Sequence, residues 1–282
     1  MAQPDLDQVA KSICHERDMR FVKSVGEGTF KQTFEVVGAD GVTIALKLYK
    51  AATLGPREQR EIDAMLRCNH GNIARLLSVD RYDYQNTPFV ALTEEFLPGG
   101  TLTSKGKITK TECLRVTERL IDALAHTSRL SLVHRDIKPD NIMFRLDGRT
   151  PVLTDFGVAR NLLESSLTPS WAPHGPGTPF FAPPEQLNNQ KHLIDWRSDQ
   201  FSLGISMAYV TLGFHPYLPT GGSDMDVVGT VAARRGPSNE FIGKSDLIGL
   251  PVLGKMVAPW PVYRYRKPEL LAEAWHSQEG TQ

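Results

Sequence analysis

Apolar residues recur at helical spacing in several stretches of the chain. The first such stretch predicts a short amphipathic helix over residues 5–18, and a second predicts a buried helix over residues 109–130. Another apolar helix is predicted to open at Asp195, and Pro56 suits the first turn of a further helix. The apolar faces of the first two helices consist of Leu6, Val9, Ala10 and Ile13, and of Cys113, Val116, Leu120, Ile121 and Leu124.

Strand-like patterns occupy much of the chain between the first two of these helices. They begin at Arg20, and they return as apolar stretches at residues 44–48 and 89–93. Two further apolar residues, Val152 and Leu153, predict a short strand later in the chain.

Composition narrows the class of protein. The 282 residues are 40% hydrophobic and 23% charged, which is enough for a sizeable core. The 32 basic and 32 acidic residues cancel, so the overall charge favours neither nucleic acid nor an anionic membrane as a partner. Three separated cysteines, no secretory signal pattern and no run of about 18 apolar residues lead us to expect a cytoplasmic protein without a membrane span.

The stretch 134–141, with the sequence His-Arg-Asp-Ile-Lys-Pro-Asp-Asn, contains a base, a cation and a metal ligand in one short loop. Asp136 can accept a proton from an attacking hydroxyl, and Lys138 can reach an anion that is being transferred. Asn141 offers an amide oxygen to a hard cation such as Mg²⁺. Downstream, Asp155 follows the short strand in Thr-Asp-Phe-Gly and supplies a second oxygen ligand.

These two loops resemble the catalytic and metal-binding loops of the eukaryotic-type (Hanks-type) serine/threonine protein kinases. The resemblance implies an α+β, bilobal protein-kinase-like fold, with a small lobe of antiparallel strands plus one helix and a large, mainly helical lobe. It divides the chain into a helical extension (1–19), a kinase domain (20–276) and a polar tail (277–282). Within the domain it implies a small lobe (20–94), a hinge (95–101) and a large lobe (102–276).

The resemblance also assigns the ATP site. In it Lys47 pairs the phosphates and is oriented by Glu61, with Glu58 as the competing partner. Glu94 falls at the back of the nucleotide pocket, where a carboxylate is costly to bury unless it meets a cation such as Lys47. The remaining nucleotide contacts are implied for Gly26 and Gly28 of the glycine-rich loop, for Thr33, Ala45 and Met143 around the adenine, and for the backbone of Glu95 and Leu97.

A further set of residues is implied to regulate or brace the site. Residues between Asp155 and Glu185 resemble the activation segment, with Thr168 or Ser170 as the phosphorylated residue and Arg135 as the group that binds its phosphate. Thr178 is expected to bond Asp136 and Lys138. Asp199 is expected to brace the catalytic loop, and Arg264 to pair with Glu185.

The activity implied is transfer of the γ-phosphoryl group of ATP, with Mg²⁺, to serine or threonine hydroxyls of a protein substrate. The chain would also need an activating signal, from a partner, from the N-terminal helix or from its own loop. Two alternatives remain open at this point. One is a pseudokinase that acts as a nucleotide-gated binding module; it is suggested by Lys31, Thr33 and Glu94, which depart from the family pattern. The other is a small-molecule phosphotransferase.

Overall fold

The structure, a computed structural model, describes residues 5–27, 31–49, 55–156, 159–162, 178–218 and 221–278. The chain divides into two compact units, which are described separately. The small unit consists of Met1–Asn69 and Ala74–Leu97, and the large unit consists of His70–Ile73 and Pro98–Gln282. The domain limits expected from the sequence, at residues 20 and 276, stay a prediction.

The small unit is built on a five-stranded antiparallel sheet with the strand order β1-β2-β3-β5-β4. Its strands are β1 (Arg20–Glu27), β2 (Lys31–Val37), β3 (Thr43–Tyr49), β4 (Leu76–Tyr84) and β5 (Thr87–Glu95). Phe34, Leu46 and Phe89 are buried on one face of the sheet. There they meet the apolar face of the N-terminal helix, because alternate strand residues point to the same side.

Two helices accompany the sheet, α1 (Leu6–Glu16) and α2 (Pro56–Arg67). The side chain of Asp5 caps α1 by accepting a hydrogen bond from the backbone N–H of Asp7. The helix buries the four apolar residues that the periodicity identified, so it forms part of the small unit's core. Pro56 stands at the first turn of α2, as the sequence predicts.

The large unit is mainly helical. Its helices are α3 (Lys110–Arg129), α4 (Pro184–Leu187), α5 (Trp196–Leu212), α6 (Asp224–Ala232), α7 (Asn239–Leu247), α8 (Val252–Met256) and α9 (Pro268–His276). Four short strands form two antiparallel pairs, β6 (Leu132–Val133) with β9 (Arg160–Asn161), and β7 (Ile142–Phe144) with β8 (Pro151–Leu153). These short pairs flank the loops that contain Asp136 and Asp155.

The core of the large unit surrounds α3 and α5. α3 starts with a reciprocal capping box between Thr109 and Glu112, which satisfies backbone donors at its first turn. α5 starts at the side-chain cap of Asp195 and stops at Gly213, whose φ of 86° is accessible to glycine without strain. Both helices lie where the apolar periodicity predicts them.

The expected fold class is confirmed: the small unit holds an antiparallel sheet, and the large unit is mainly helical. Among the helices of the described ranges, none is both long enough and apolar enough to cross a bilayer.

Candidate active site

The carboxylate of Asp136 lies at the centre of a hydrogen-bond network in the large unit. Its Oδ2 accepts hydrogen bonds from Nζ of Lys138 at 2.9 Å and from Nδ2 of Asn141 at 3.1 Å. Its Oδ1 accepts the backbone N–H of Thr178 at 2.8 Å. Nζ of Lys138 also donates to Oγ1 of Thr178 at 2.6 Å, so the two ends of this network are tied together. Each of these four residues was selected from the sequence.

This network keeps Asp136 ionised. Burial by itself would raise the pKa of Asp136, but the hydrogen bond and positive charge of Lys138, together with Thr178, hold that pKa below its ordinary value. At neutral pH the side chain is therefore a carboxylate whose two oxygens are held in fixed directions. Such a group can orient a hydroxyl and accept its proton.

The backbone of the catalytic loop is anchored by Asp199 of α5. Its two carboxylate oxygens accept the backbone N–H groups of His134, at 2.7 Å, and of Arg135, at 2.9 Å. Burial raises the pKa of Asp199, whereas these two backbone bonds favour its charged form. Arg135 has a φ of 70°, and the pair of bonds holds the chain through this left-handed conformation.

His134 is used structurally. Its Nε2 lies 3.0 Å from the carbonyl oxygen of Thr154, and its Nδ1 accepts the backbone N–H of Asp136 at 3.3 Å. The ring also packs edge-on against Phe156, with centroids 4.6 Å apart. Both ring nitrogens are therefore occupied, so His134 packs and bonds the backbone and is not placed to act as a base.

The two expected metal ligands lie at the end of the β7–β8 pair. Asn141 immediately precedes β7, and its carbonyl oxygen accepts the backbone N–H of Thr154 at 2.9 Å. Asp155 is the next residue and has a φ of 62°. Nδ2 of Asn141 donates hydrogen bonds to the carbonyl oxygen and to Oδ2 of Asp136, so the amide oxygen of Asn141 is the atom that can bind a cation. An amide oxygen and a carboxylate are a donor set that suits Mg²⁺, which is usually bound by one or two side chains and by substrate phosphates.

A buried ion pair supports the segment that follows Thr178. Arg264 donates two hydrogen bonds to Glu185, at 2.6 and 3.0 Å, and neither side chain is exposed to solvent. Ser198 adds a third bond to Glu185, at 2.8 Å. The Arg264–Glu185 pair was expected from the sequence, but Ser198 was missed, as was Gln186, whose Nε2 donates to the carbonyl oxygen of Arg135 at 2.8 Å. The sequence pointed to Ser198 and Gln186 only in that each is adjacent in the chain to a residue already identified, Asp199 and Glu185 respectively.

In the small unit, the pairing of Lys47 corrects the sequence analysis. Nζ of Lys47 lies 2.6 Å from Oε2 of Glu94, and it does not bond Glu61. The alternative foreseen for Glu94, a partnership with Lys47, is therefore the one that the structure contains. Both side chains are largely buried, with 16% and 3% of their surfaces exposed. The sheet register explains the pair: Lys47 lies opposite Leu92 on β5, and Glu94, two residues along, is its diagonal neighbour on the same face.

Glu61 has other partners. Its carboxylate pairs with Lys31 and accepts a hydrogen bond from the hydroxyl of Tyr49 at 3.0 Å. Lys31 and Tyr49 face each other across β2 and β3, and Nζ of Lys31 lies 5.5 Å from the centroid of the tyrosine ring. Lys31 stands where the family pattern has its third glycine, so the departure noted in the sequence supplies the cation that Glu61 uses. The sequence analysis missed Tyr49.

The expected nucleotide contacts of the small unit lie on four strands, β1, β2, β3 and β5, and just after β5. Gly26 pairs with Thr33 between β1 and β2, and Thr33 lies opposite Lys47 on β3. Ala45 is buried opposite Glu94, and Glu95 ends β5. Leu97 follows and is buried. In the large unit, Met143 lies on β7 and bridges to Thr101.

Four residues from the sequence analysis fall outside what the structure describes. They are Gly28 of the glycine-rich loop, the two candidate phosphorylation sites Thr168 and Ser170, and the side chain of Glu58.

An apolar cavity of about 510 Å³ adjoins the catalytic loop within the large unit. Pro139 and Asp140 of that loop line one part of it, and Phe180, Phe181 and Tyr209 line another. The three aromatic rings contact one another, with centroids between 5.1 and 6.1 Å apart. A cavity of this size and character can hold a large apolar side chain.

Comparison with known proteins gives a consistent set of relatives. A probable serine/threonine-protein kinase, PknB, from Bifidobacterium longum is 31% identical over 193 residues, which cover 63% of this chain and 27% of that protein. The probable serine/threonine-protein kinase PkwA from Thermomonospora curvata is 30% identical over 232 residues, or 79% of this chain and 29% of that protein. The probable serine/threonine-protein kinase MARK-C from Dictyostelium discoideum is 26% identical over 275 residues, or 93% of this chain and 34% of that protein.

This chain thus spans about a third or less of the length of these curated relatives. Residues 19–235, well over half of the chain, match the family model of the protein kinase domain. The match contains the Asp136 network, the Asn141 and Asp155 pair and the Lys47 strand, and it shows that this chain belongs to the protein kinase family.

Proposed function

We propose that this protein transfers the γ-phosphoryl group of ATP to serine or threonine hydroxyls of a protein substrate. The observation that carries the proposal is the Asp136 carboxylate, held ionised and oriented by Lys138, Asn141 and Thr178. The names of the relatives support the same activity for the domain they share with this chain.

Each residue near Asp136 has a distinct role in the proposal. Asp136 orients the acceptor hydroxyl and takes up its proton as the phosphoryl group leaves ATP. Lys138, which reaches both Asp136 and Thr178, offsets negative charge on the migrating group. Positioning and electrostatic stabilisation supply most of the rate enhancement in such a transfer.

Asn141 and Asp155 would hold Mg²⁺ in this scheme. The cation would neutralise charge on the phosphates of ATP. Lys47, held by Glu94, pairs the α- and β-phosphates, and the backbone atoms of Glu95 and Leu97 meet the edge of the adenine. Gly26 and Gly28 let backbone amides approach the phosphates, and Thr33, Ala45 and Met143 enclose the adenine ring.

The choice of serine and threonine as acceptors rests on the link between Lys138 and Thr178. A lysine two residues after the catalytic aspartate, followed later by the Gly177-Thr178 step, resembles the serine/threonine branch of the family. The hydrogen bond from Lys138 to Oγ1 of Thr178, at 2.6 Å, gives this pair a physical role, because it joins the catalytic loop to the segment that would receive the substrate.

Regulation is part of the same proposal. Phosphorylation of Thr168 or Ser170 would place a doubly charged group within the activation segment, and the guanidinium of Arg135 would bind it. An activating partner would promote this modification. We place the protein in the cytoplasm, where ATP is available and where the buried thiols of Cys14, Cys68 and Cys113, each free in the structure, would stay reduced.

Intact-mass measurements test the activity. The purified chain is incubated with ATP and Mg²⁺, beside the Asp136→Asn and Asp155→Ala variants and beside Asp246→Asn, which changes an exposed aspartate on α7 and serves as the matched control. The proposal expects phosphate to be added to the wild type and to the control, but to neither of the two site variants. A protein substrate rich in serine and threonine is included, so that transfer to another chain is detected as well.

The pseudokinase alternative makes a different prediction for the same samples. It expects thermal stabilisation of the wild type by ATP and Mg²⁺, but no transfer to itself or to the substrate, even after treatment with an activating kinase. The observation that favours this alternative is that Glu61 pairs with Lys31 and not with Lys47. Transfer to a metabolite, with no transfer to protein, would instead indicate a small-molecule phosphotransferase.

A further inference from the structure

A second cavity of the large unit, of about 390 Å³, shares no residue with the catalytic loop. Four arginines line it: Arg115 and Arg119 from α3, and Arg145 and Arg149 from the turn between β7 and β8. We refer to it as the arginine cavity. Its volume lies within the range of small-ligand sites, which is about 300–1,000 Å³.

The lining of the arginine cavity is strongly positive. No carboxylate is among its lining residues in the described part of the chain. Asp147, at the tip of the β7–β8 turn, lies two residues from both Arg145 and Arg149, and its Oδ1 accepts the backbone N–H groups of Arg149 and Thr150 at 2.8 Å each. The hydroxyl of Thr150 donates to it as well, at 2.5 Å. Asp147 therefore serves the turn and offsets only a part of the charge of four guanidinium groups.

Arg115 provides an independent sign of a ligand. Its Nε is buried and has no hydrogen-bond partner among the described residues. An unpaired buried donor costs free energy, and most such groups in native proteins have a partner in the protein or in ordered water, so a buried donor without a protein partner needs an explanation. On α3, Arg119 follows one helical turn later and is exposed, so the two side chains lie on the same helix face.

The backbone that presents the arginines of the turn is well fixed. The backbone N–H of Arg145 donates to the carbonyl oxygen of Thr150 at 3.1 Å, which closes the turn. Nδ2 of Asn72 donates to the carbonyl oxygen of Pro151 at 2.7 Å and is itself buried. The frame of the cavity is therefore preorganised, and only the ends of the long side chains need to be ordered when a ligand binds.

The ligand chemistry follows from the choice of arginine. The planar guanidinium has five donors in a fork that matches the oxygens of a phosphate group. Four such groups around one cavity carry more positive charge than a singly charged carboxylate ligand would neutralise, which favours a doubly charged ligand. We propose that the arginine cavity binds a doubly charged phosphate group, either on a small phosphorylated compound or on a phosphorylated side chain of a peptide. The proposal does not depend on phosphoryl transfer by Asp136.

Calorimetric titration of the full chain with sodium pyrophosphate tests the proposal. The buffer contains EDTA and no Mg²⁺, at 0.15 M ionic strength. Three variants are compared with the wild type: Arg115→Gln/Arg119→Gln, Arg149→Gln, and the matched control Arg235→Gln/Arg266→Gln, which removes two exposed arginines elsewhere in the large unit. Lys47→Gln is titrated too, because a pyrophosphate bound at the nucleotide site would be lost there.

We expect saturable binding of one pyrophosphate by the wild type, by the control and by Lys47→Gln. Arg115→Gln/Arg119→Gln should weaken it by about ten- to a hundredfold, the loss expected when hydrogen bonds to a charged group are removed. Arg149 is exposed on a turn, so Arg149→Gln keeps the test valid if the double variant does not fold. Absence of binding by the wild type, or equal binding by the wild type and both cavity variants, would overturn the proposal.

A second titration identifies the source of the phosphate. A glycine-flanked phosphoserine peptide is compared with the same peptide without phosphate. Binding of the phosphopeptide, lost in the cavity variants, supports a phosphorylated protein segment as the ligand. Binding of pyrophosphate alone supports a small phosphorylated compound.

Discussion

Lys47 and Glu94 form a largely buried ion pair, with Nζ of the lysine 2.6 Å from Oε2 of the glutamate. Oε1 of Glu94 is buried and has no hydrogen-bond partner among the described residues, so the lysine is the group that offsets the cost of burying this carboxylate. The pair joins two adjacent strands of the small unit, β3 and β5. The lysine that would meet the phosphates of ATP is thus held by the sheet itself.

Glu94 should therefore matter more than Glu61 for the position of Lys47. We expect Glu94→Gln to lower kcat/KM for ATP by about tenfold or more, because a hydrogen bond to a charged group is lost, and Glu61→Gln to lower it less. Steady-state kinetics with varied ATP measures both. A result in which Glu61→Gln is the more damaging change would mean that Lys47 exchanges partners when ATP binds.

Lys31 should stabilise the small unit through Glu61. Lys31→Met removes the cation from a carboxylate that is 4% exposed, and we expect the free energy of unfolding to fall by about 2–4 kcal/mol. The matched control is Lys23→Met: that lysine lies 3.6 Å from Glu35 and is 65% exposed, so its loss should cost at most a few tenths of a kcal/mol. Chemical unfolding of both variants gives the comparison, and equal losses would contradict the assignment.

The Glu185–Arg264 pair should be among the largest single contributions to the stability of the large unit. Glu185→Gln leaves the guanidinium buried without its counter-charge, and we expect a loss of about 3–5 kcal/mol in the free energy of unfolding. Glu240→Gln, in an exposed pair with Lys244 on α7, is the control and should change stability by less than about 0.5 kcal/mol.

Replacing both partners provides a further check on that pair. Glu185→Gln/Arg264→Met removes both charges, so it should recover part of the stability that Glu185→Gln loses. If the double variant is less stable by the sum of the two single losses, the charges do not act as a pair.

His215 should make folding sensitive to mild acid. Burial lowers the pKa of His215 from 6.5 to about 4, although its contact with the carbonyl oxygen of Phe180 favours the charged form. Between these two pKa values the unfolded chain binds more protons than the folded chain. The contribution of His215 to the free energy of unfolding is therefore complete above about pH 6.5 and is lost as the pH falls toward 4. The limit of the effect is about 3 kcal/mol.

Unfolding midpoints in urea at pH 7, 6 and 5 measure this dependence. His215→Gln should flatten it across that range, whereas His192→Gln, at an exposed residue, should leave it unchanged. A slope that survives in His215→Gln would assign the pH dependence to other groups.

The apolar cavity of about 510 Å³ beside the catalytic loop should select the sequence around the acceptor hydroxyl. Phe180, Phe181 and Tyr209 line it, beside Pro139 and Asp140 of the catalytic loop. On the proposed function, we expect peptides with a large apolar residue near the serine to be phosphorylated faster than peptides with glycine there. Tyr209→Ala should reduce that preference by about three- to tenfold in a peptide-array assay, since one ring contact is worth about 1 kcal/mol. An unchanged preference would place the substrate elsewhere.

The sequence by itself determined the elements and the chemistry of the loops. Apolar periodicity located α1, α3 and α5, because a buried helix face must repeat every three or four residues. The stretch around Asp136 was identified because its chemical groups are adjacent in the chain, and their contacts with one another span only a few residues. The links to Thr178 and Asp199 were accessible through the family resemblance.

Only the tertiary structure decided which charges meet. The partner of Lys47 depends on the register of β3 against β5, and a shift of a single residue would have turned Glu94 to the other face. Glu61 was available to Lys31 because β2 places that lysine beside Tyr49. The four arginines of the second cavity come from a helix and from a turn that no local pattern connects. Local sequence specifies periodicity and reactive groups, whereas long-range pairing depends on register and packing, which emerge only when the whole chain is folded.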